Sequence, residues 1–447
     1  MMKRQSGRTE VILPDKNDNK KPEKDFQFWL KSAGWVWLAL VVVFSCYWSS
    51  FFLGNHDFRF VRYGVPVDSG VWEGRFMQFV LPKLLVDGHI LPVLNVFLGF
   101  AFLALGVVLL ARWFGLAEKY REVLPFALLI VLNPYILTQL YYVHQILPIL
   151  FWHLLCVLGV IWIDKAAEER RPGLASAGVL ALGAAMGGYA ASLELVLTVI
   201  AGKFWLDVLR AKKNVTALLL HYIKFGMIVL AALLCYAAVI EGIKSYGLIS
   251  LWMYNVQTLS FESMLDKFWG NWHRPWVILC SVFPFEKWVV GCGFLLLAVT
   301  ALAVSWKCRK LLWGVLCLTV SVYLAFILAF LSPYDFFEKF RVHFFSVPYL
   351  LAVLFAVVFS CGTRGSRNTA FATAIVLICL YIGTNFYAQK IWLLGNKQDD
   401  LYVERIKHDF LPRLVPGRKY RLATLGGLYG REKFAGVNNI YFLRTYD

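Results

Sequence analysis

Apolar runs close to 20 residues long recur along the chain, separated by short polar or charged loops. Crossing the hydrocarbon of a bilayer takes about 20 mostly apolar residues, and in lipid each segment must satisfy its own backbone N–H and C=O groups. The runs fall at 29–53, 91–111, 123–140, 145–163, 173–187, 189–206, 217–240, 289–306, 311–331, 343–360 and 369–387. They predict an all-α polytopic membrane protein with about eleven transmembrane helices. Composition agrees, with 59% hydrophobic residues and only 16% charged, against roughly 25% in soluble domains. The fifth and sixth runs are short and share GAAMGGYAASLE, which reads either as a hairpin that only partly crosses or as two tilted spans.

Lys and Arg set orientation, because short cytoplasmic loops carry the positive excess. Eight fall in the first 31 residues, and the alternate loops near 112–122, 164–173, 203–217, 306–311 and 361–368 hold 3, 3, 4, 3 and 2. The loops near 139–144 and 187–190 hold none. This phase predicts a cytoplasmic tail over 1–28, a transmembrane domain over 29–387 and an extracytoplasmic domain over 388–447. The last carries an amphipathic pattern near 401–411 and then Gly-rich turns, which predicts a small α+β cap. Asp399 and Asp400 there read as helix-capping residues or, less simply, as cation ligands.

The net charge of +17 calls for no nucleic acid, since the N-terminal tail and inner loops hold about half of the basic residues. The polar N-terminus and the length of the first apolar run predict no cleavable signal peptide. The nine cysteines show no CxxC spacing; Cys280 and Cys292, both on the outer side, are the one pair placed to bridge. A P-loop and a dinucleotide fingerprint are missing from the sequence, so no cofactor is expected.

The first outer loop sets the chemistry. GNHDFRFVRYGVPVDSGVWEGRFMQFVLPKLL, residues 54–85, packs three acids, three arginines and a histidine among aromatics. Asp57 follows the first span closely, where a rigid element holds a carboxylate near the membrane surface. Such a base takes the proton from a sugar hydroxyl as it attacks an anomeric carbon. A lipid-linked phosphate leaving group is gripped best by guanidinium forks, and Arg59, Arg62, Arg75, Arg274 and Arg341 are the outer candidates. The loop ends in EGRFMQFVLPKLL, too short to span, which predicts an interfacial helix kinked at Pro82.

The order of a first span, an acidic outer loop, WEGR, an interfacial helix and a long second span resembles the multispan glycosyltransferases of the GT-C class. Within that class the chain is most similar to the O-antigen-modifying glucosyltransferases of the Gtr II type. The acidic pair that closes the first span in that family falls on Asn55-His56-Asp57, and its GR on Gly74-Arg75. LNPYILTQLYYVHQILPI at 132–149 and Arg341-Val342 also match. Two positions depart: His56 replaces the first acid, which weakens the case for a metal, and His144 stands where an acid follows the paired tyrosines. The resemblance implies a polyprenyl-phosphate sugar donor, inversion, a glycan acceptor in the cell envelope and a bacterial inner-membrane location.

On this reading Asp57 is the catalytic base, and Arg75 and Arg341 bind the donor phosphate. His56, Asp68, Glu73, His144, Glu194, Trp272 and Arg274 are candidate substrate contacts. Asp68 and Glu73 are also alternative bases. Glu194 is an intramembrane acid, which defaults to a functional role because burial of a carboxylate in lipid is costly. His144 and His343 read equally as hydrogen-bonded structural residues, and Arg341 as an ion-pair partner of Glu338. The four tryptophans of 250–276, Trp269 and Trp272 among them, serve either as interface anchors or as a sugar-stacking groove. The rival functions are a lipid-linked oligosaccharide polymerase and a lipid or sugar flippase. The second fits less well, because charges gather at the outer ends of the spans instead of at mid-depth.

Overall fold

The computed structural model describes residues 21–49, 64–71, 74–140, 142–211, 215–247, 261–279, 287–332, 337 and 343–410. These are helical throughout, with no strand among them. In chain order the helices are α1 (Lys21–Val43), α2 (Ser45–Ser49), α3 (Val80–Val86), α4 (Pro92–Trp113), α5 (Tyr120–Val131) and α6 (Tyr135–Leu140). Then come α7 (Val143–Glu169), α8 (Pro172–Gly188), α9 (Ser192–Arg210), α10 (Val215–Ser245), α11 (Phe261–Asn271) and α12 (Arg274–Leu279). The series closes with α13 (Lys287–Lys307), α14 (Leu311–Leu324), α15 (Ile327–Leu331), α16 (Val347–Cys361) and α17 (Arg364–Phe410).

Seven of the described helices are long and apolar enough to cross a membrane: α1, α4, α7, α10, α13, α16 with the turn before it, and α17. The other four expected spans are helical but shorter, interrupted or charged. The 123–140 run breaks at Asn133-Pro134, because proline removes a donor and disfavours helix in the residue before it. The 311–331 run breaks between α14 and α15. Helix α8 is short, and α9 carries Glu194, Lys203, Asp207 and Arg210.

Helices α8 and α9 lie where the sequence leaves a hairpin or two tilted spans open. The two join at Tyr189–Ala191 but choose different neighbours: α8 lies along α7 and α10, while α9 lies along α16 and α14. Helix α16 is the axis of the bundle, with 89% of its span buried, whereas α10 has 17% buried and turns most of its apolar surface outward. An apolar helix exposed in this way fits a lipid surface.

Two further expectations change. Pro82 sits in the first turn of the seven-residue α3, where an N–H would have no intrahelical partner anyway, so the proline costs this helix no hydrogen bond. No helix begins at Asp399 and Asp400, because α17 continues through these positions from the last apolar run to Phe410. Residues 411–447, where the rest of the α+β cap was expected, lie outside the described residues. So does Cys280; Cys292 is exposed and free.

Helix ends inside the bundle leave carbonyls without partners, and α17 supplies some. The Asn385 side-chain amide donates to the Leu132 carbonyl at the end of α5 (2.8 Å), and that of Gln389 to the Val43 carbonyl at the end of α1 (2.7 Å). Both side chains are buried, so each bond ties two helices where no water can substitute. Asn385→Leu or Gln389→Leu should each cost about 1–3 kcal/mol. The exposed neighbour Phe386→Leu should change little. Thermal unfolding in detergent measures both.

Candidate functional site

One end of the bundle collects the N-termini of α7, α9 and α16 and the C-terminus of α8, and onto it folds the turn that precedes α3. The turn is closed by backbone bonds from Gly74 N to Val71 O (2.9 Å) and from Arg75 N to Gly70 O (2.8 Å). Gly74 has φ +72°, a left-handed conformation that a side chain would strain, and this sets the direction in which Arg75 leaves the turn. Met77 N then donates to Gly187 O (2.9 Å), and the Trp152 indole N–H to Gln78 O (3.4 Å).

The turn comes this close because α8 ends in two glycines. A Cβ on Gly188 would lie 2.2 Å from the Trp152 ring, and one on Gly187 2.5 Å from the Phe76 ring. Phe76 in turn stacks on Tyr236 of α10, with centroids 6.1 Å apart. Phe79 stacks on His144 at 6.0 Å, and His144 is buried. Of the two readings of His144, packing against the turn is what the geometry displays.

Arg75 is half-buried, and its guanidinium lies over the Tyr189 ring, 5.1 Å from the centroid. Tyr189 is the first residue after α8 and packs against Phe345, with centroids 5.5 Å apart. Phe345 belongs to a short 3-10 turn, His343–Phe345, that leads into α16. Its ring stacks on that of His153 in α7 at 5.6 Å, and His153 is hydrogen-bonded to the Tyr349 hydroxyl.

The same 3-10 turn meets the one fully buried carboxylate among the described residues. Glu194, in the first turn of α9, accepts from His343 Nδ1 (3.1 Å) and from the Leu328 backbone N–H (3.1 Å), and lies 3.1 Å from Ser346 Oγ, whose one proton also has the Ala325 carbonyl at 2.6 Å. His343 also packs on Phe326, with centroids 4.5 Å apart. The chain Arg75–Tyr189–Phe345, the turn His343–Phe345 and Glu194 thus join residues that are far apart in sequence. Chemically it offers a guanidinium held by an aromatic face, suited to phosphate oxygens, and, two aromatic rings further in, a carboxylate held by His343 and the Leu328 N–H.

The remaining candidates sit around this group or beyond it. Asp68 is exposed and contributes its backbone carbonyl to the turn through Val71 N (2.9 Å). Trp272 is half exposed and accepts the Tyr323 hydroxyl at its carbonyl (3.1 Å). Arg274 lies over Phe337 at 4.8 Å, and Phe337 packs on Phe330 of α15, the helix whose Leu328 N–H bonds Glu194. His56, Asp57, Glu73, Glu338 and Arg341 lie outside the described residues. Tyr189, His153 and Tyr349 were missed. A histidine inside an apolar run is a signal that hydropathy averages away, and aromatic residues at span ends look like interface anchors. Among the described residues no cluster of three His, Cys, Asp or Glu side chains is placed to hold a metal.

Removing the Glu194 carboxylate strands His343 and the Leu328 N–H in a dry site, while the Ser346 hydroxyl keeps the Ala325 carbonyl (2.6 Å). Glu194→Ala should cost about 3–5 kcal/mol, as for other broken buried pairs. Glu194→Gln, which keeps one acceptor oxygen, should cost clearly less. The midpoint of thermal unfolding in detergent ranks the three chains.

Comparison with curated proteins and with solved structures returns no match. The family described as glucosyl transferase GtrII matches over residues 46–359, a stretch that contains the Arg75 turn, Tyr189, Glu194 and His343. With its long apolar helices, this chain therefore belongs to the glucosyl transferase GtrII family.

Proposed function

We propose that this membrane glucosyltransferase takes glucose from a polyprenyl-phosphate donor and passes it to a cell-envelope glycan such as O-antigen. The reaction takes place at the end of the bundle that carries the Arg75 turn. The N-terminal tail and the loops at the opposite end hold about half of the basic residues, and the positive-inside rule supports an extracytoplasmic Arg75 end, which we place at a bacterial inner membrane. The observation that carries the reading is the Arg75 guanidinium over the Tyr189 ring, at the convergence of four helix ends.

The acceptor hydroxyl oxygen attacks the anomeric carbon while the Asp57 carboxylate takes its proton. The bond from that carbon to the phosphate oxygen breaks, and its electron pair stays on the phosphate. Arg75 and Arg341 bind the charge that develops there, where fixed donors act most strongly. A single displacement inverts the anomeric centre. His56, Asp68, Glu73, Trp272 and Arg274 are assigned to the walls of the sugar path, and His144 supports the turn from behind through Phe79. Glu194 positions the 3-10 turn two residues after Arg341. No metal enters the scheme.

Transfer of radiolabelled glucose from polyprenyl-phosphate glucose, by purified protein in lipid, tests this. Asp57→Asn should lower kcat by about 10²–10⁴, the usual contribution of a general base. Arg75→Gln should lose roughly 10² in kcat with a similar unfolding midpoint. Full activity in Asp57→Asn removes the base assignment. Transfer from a lipid-linked oligosaccharide but not from the monosaccharide donor would make the protein a polymerase. Translocation of the lipid without transfer would make it a flippase.

A further inference from the structure

The end of the bundle opposite the Arg75 turn holds a second polar feature that glucosyl transfer does not use. A cavity of about 650 Å³, within the range of about 300–1,000 Å³ typical of small-ligand sites, opens between the start of α5, the end of α16 and the start of α17. Lys119, Arg121, Arg364 and Arg367 line it, and Phe359 and Phe371 form its apolar side.

Two details separate it from an ordinary solvated basic surface. Arg121 is fixed without a carboxylate: it donates to the Asn368 side-chain oxygen (2.7 Å) and its guanidinium lies over the Phe371 ring, 4.8 Å from the centroid. A neutral amide and an aromatic face hold the group in place and leave its charge uncompensated by those two partners. The acid among the lining residues, Glu122, has its carboxylate engaged by the Ala117 backbone N–H (3.0 Å). Among the lining residues four cations therefore face a single acid, an excess of positive charge.

Depth identifies the anion. The cavity lies where the candidate spans His343–Cys361 and Arg364–Ile391 end and begin, which is head-group level for helices of that length. Phe359 is buried three positions before Gly362, and Phe371 continues the apolar side two turns into α17. A free anion has no use for that apolar side. We infer that this cavity binds the phosphate of an anionic membrane lipid, with the arginines and lysine on the phosphate oxygens and the acyl chains running past Phe359 and Phe371.

The test titrates the full chain in detergent with dioctanoylphosphatidylglycerol and follows the midpoint of thermal unfolding. A saturable upward shift is expected from this lipid, with little from dioctanoylphosphatidylcholine or from inorganic phosphate at equal concentration. Arg364 and Arg367 are exposed, so Arg364→Gln/Arg367→Gln should unfold at the parent midpoint without lipid. It should need roughly 30-fold more phosphatidylglycerol for half the shift. Lys119→Gln should weaken the response in the same direction, whereas Arg170→Gln/Arg171→Gln, on the loop after α7, should respond as the parent does. An equal shift with phosphatidylcholine, no shift with phosphatidylglycerol, or an undiminished response in the Arg364/Arg367 variant would overturn the inference. A shift reproduced by inorganic phosphate alone would make this a free-anion site and overturn the lipid assignment.

Discussion

The carboxylate of Glu194 is the constraint around which the helix ends at the candidate site are arranged. A buried acid is tolerated only if its oxygens are met by donors, and here they come from separate places: the first turn of α15 and the 3-10 turn before α16, with the Ser346 hydroxyl, shared with the Ala325 carbonyl, beside them. The Leu328 N–H is among the groups that a helix start leaves without an intrahelical partner. Glu194 caps that start from another helix. The run 311–331 can therefore break at Ala325-Phe326 and begin again, which an unbroken helix would not need.

Hydropathy made the class and the helical segments legible, because the rule that a chain in lipid must satisfy its own backbone is local and insensitive to packing. The exceptions arise where one residue overrides its window. Asn133-Pro134 and the α14–α15 break lie inside runs whose average stays apolar. Pro82 was read as a kink because its place in the helix depends on where α3 starts, and that is fixed by the turn docked on Gly187. The passage of α17 through Asp399 and Asp400 was hidden by the drop in hydropathy, which reports exposure and says nothing about where a helix ends.

The candidate site was legible in its charges and illegible in its connections. Arg75 stood out through the GR motif, and Glu194 through being an acid within an apolar run. That Tyr189 and Phe345 lie between them follows from α8 and α9 parting at Tyr189 to pack on different neighbours, a tertiary fact with no trace in spacing. The two short runs that share GAAMGGYAASLE left a hairpin or two tilted spans open, and the sequence offered no role for Gly187 and Gly188. They are the clearance that lets the Arg75 turn and Trp152 reach the end of α8.

Helix α17 has 47 residues, and at 1.5 Å per residue it extends roughly 70 Å, more than twice the roughly 30 Å of a hydrocarbon core. Its apolar part ends near Ile391, so the last 19 residues, to Phe410, carry the backbone about 28 Å further along the same axis. The helix is thus a mast as well as a span. By length alone, about five turns of it rise beyond the apolar segment, so one helix joins the packed bundle to a polar extension.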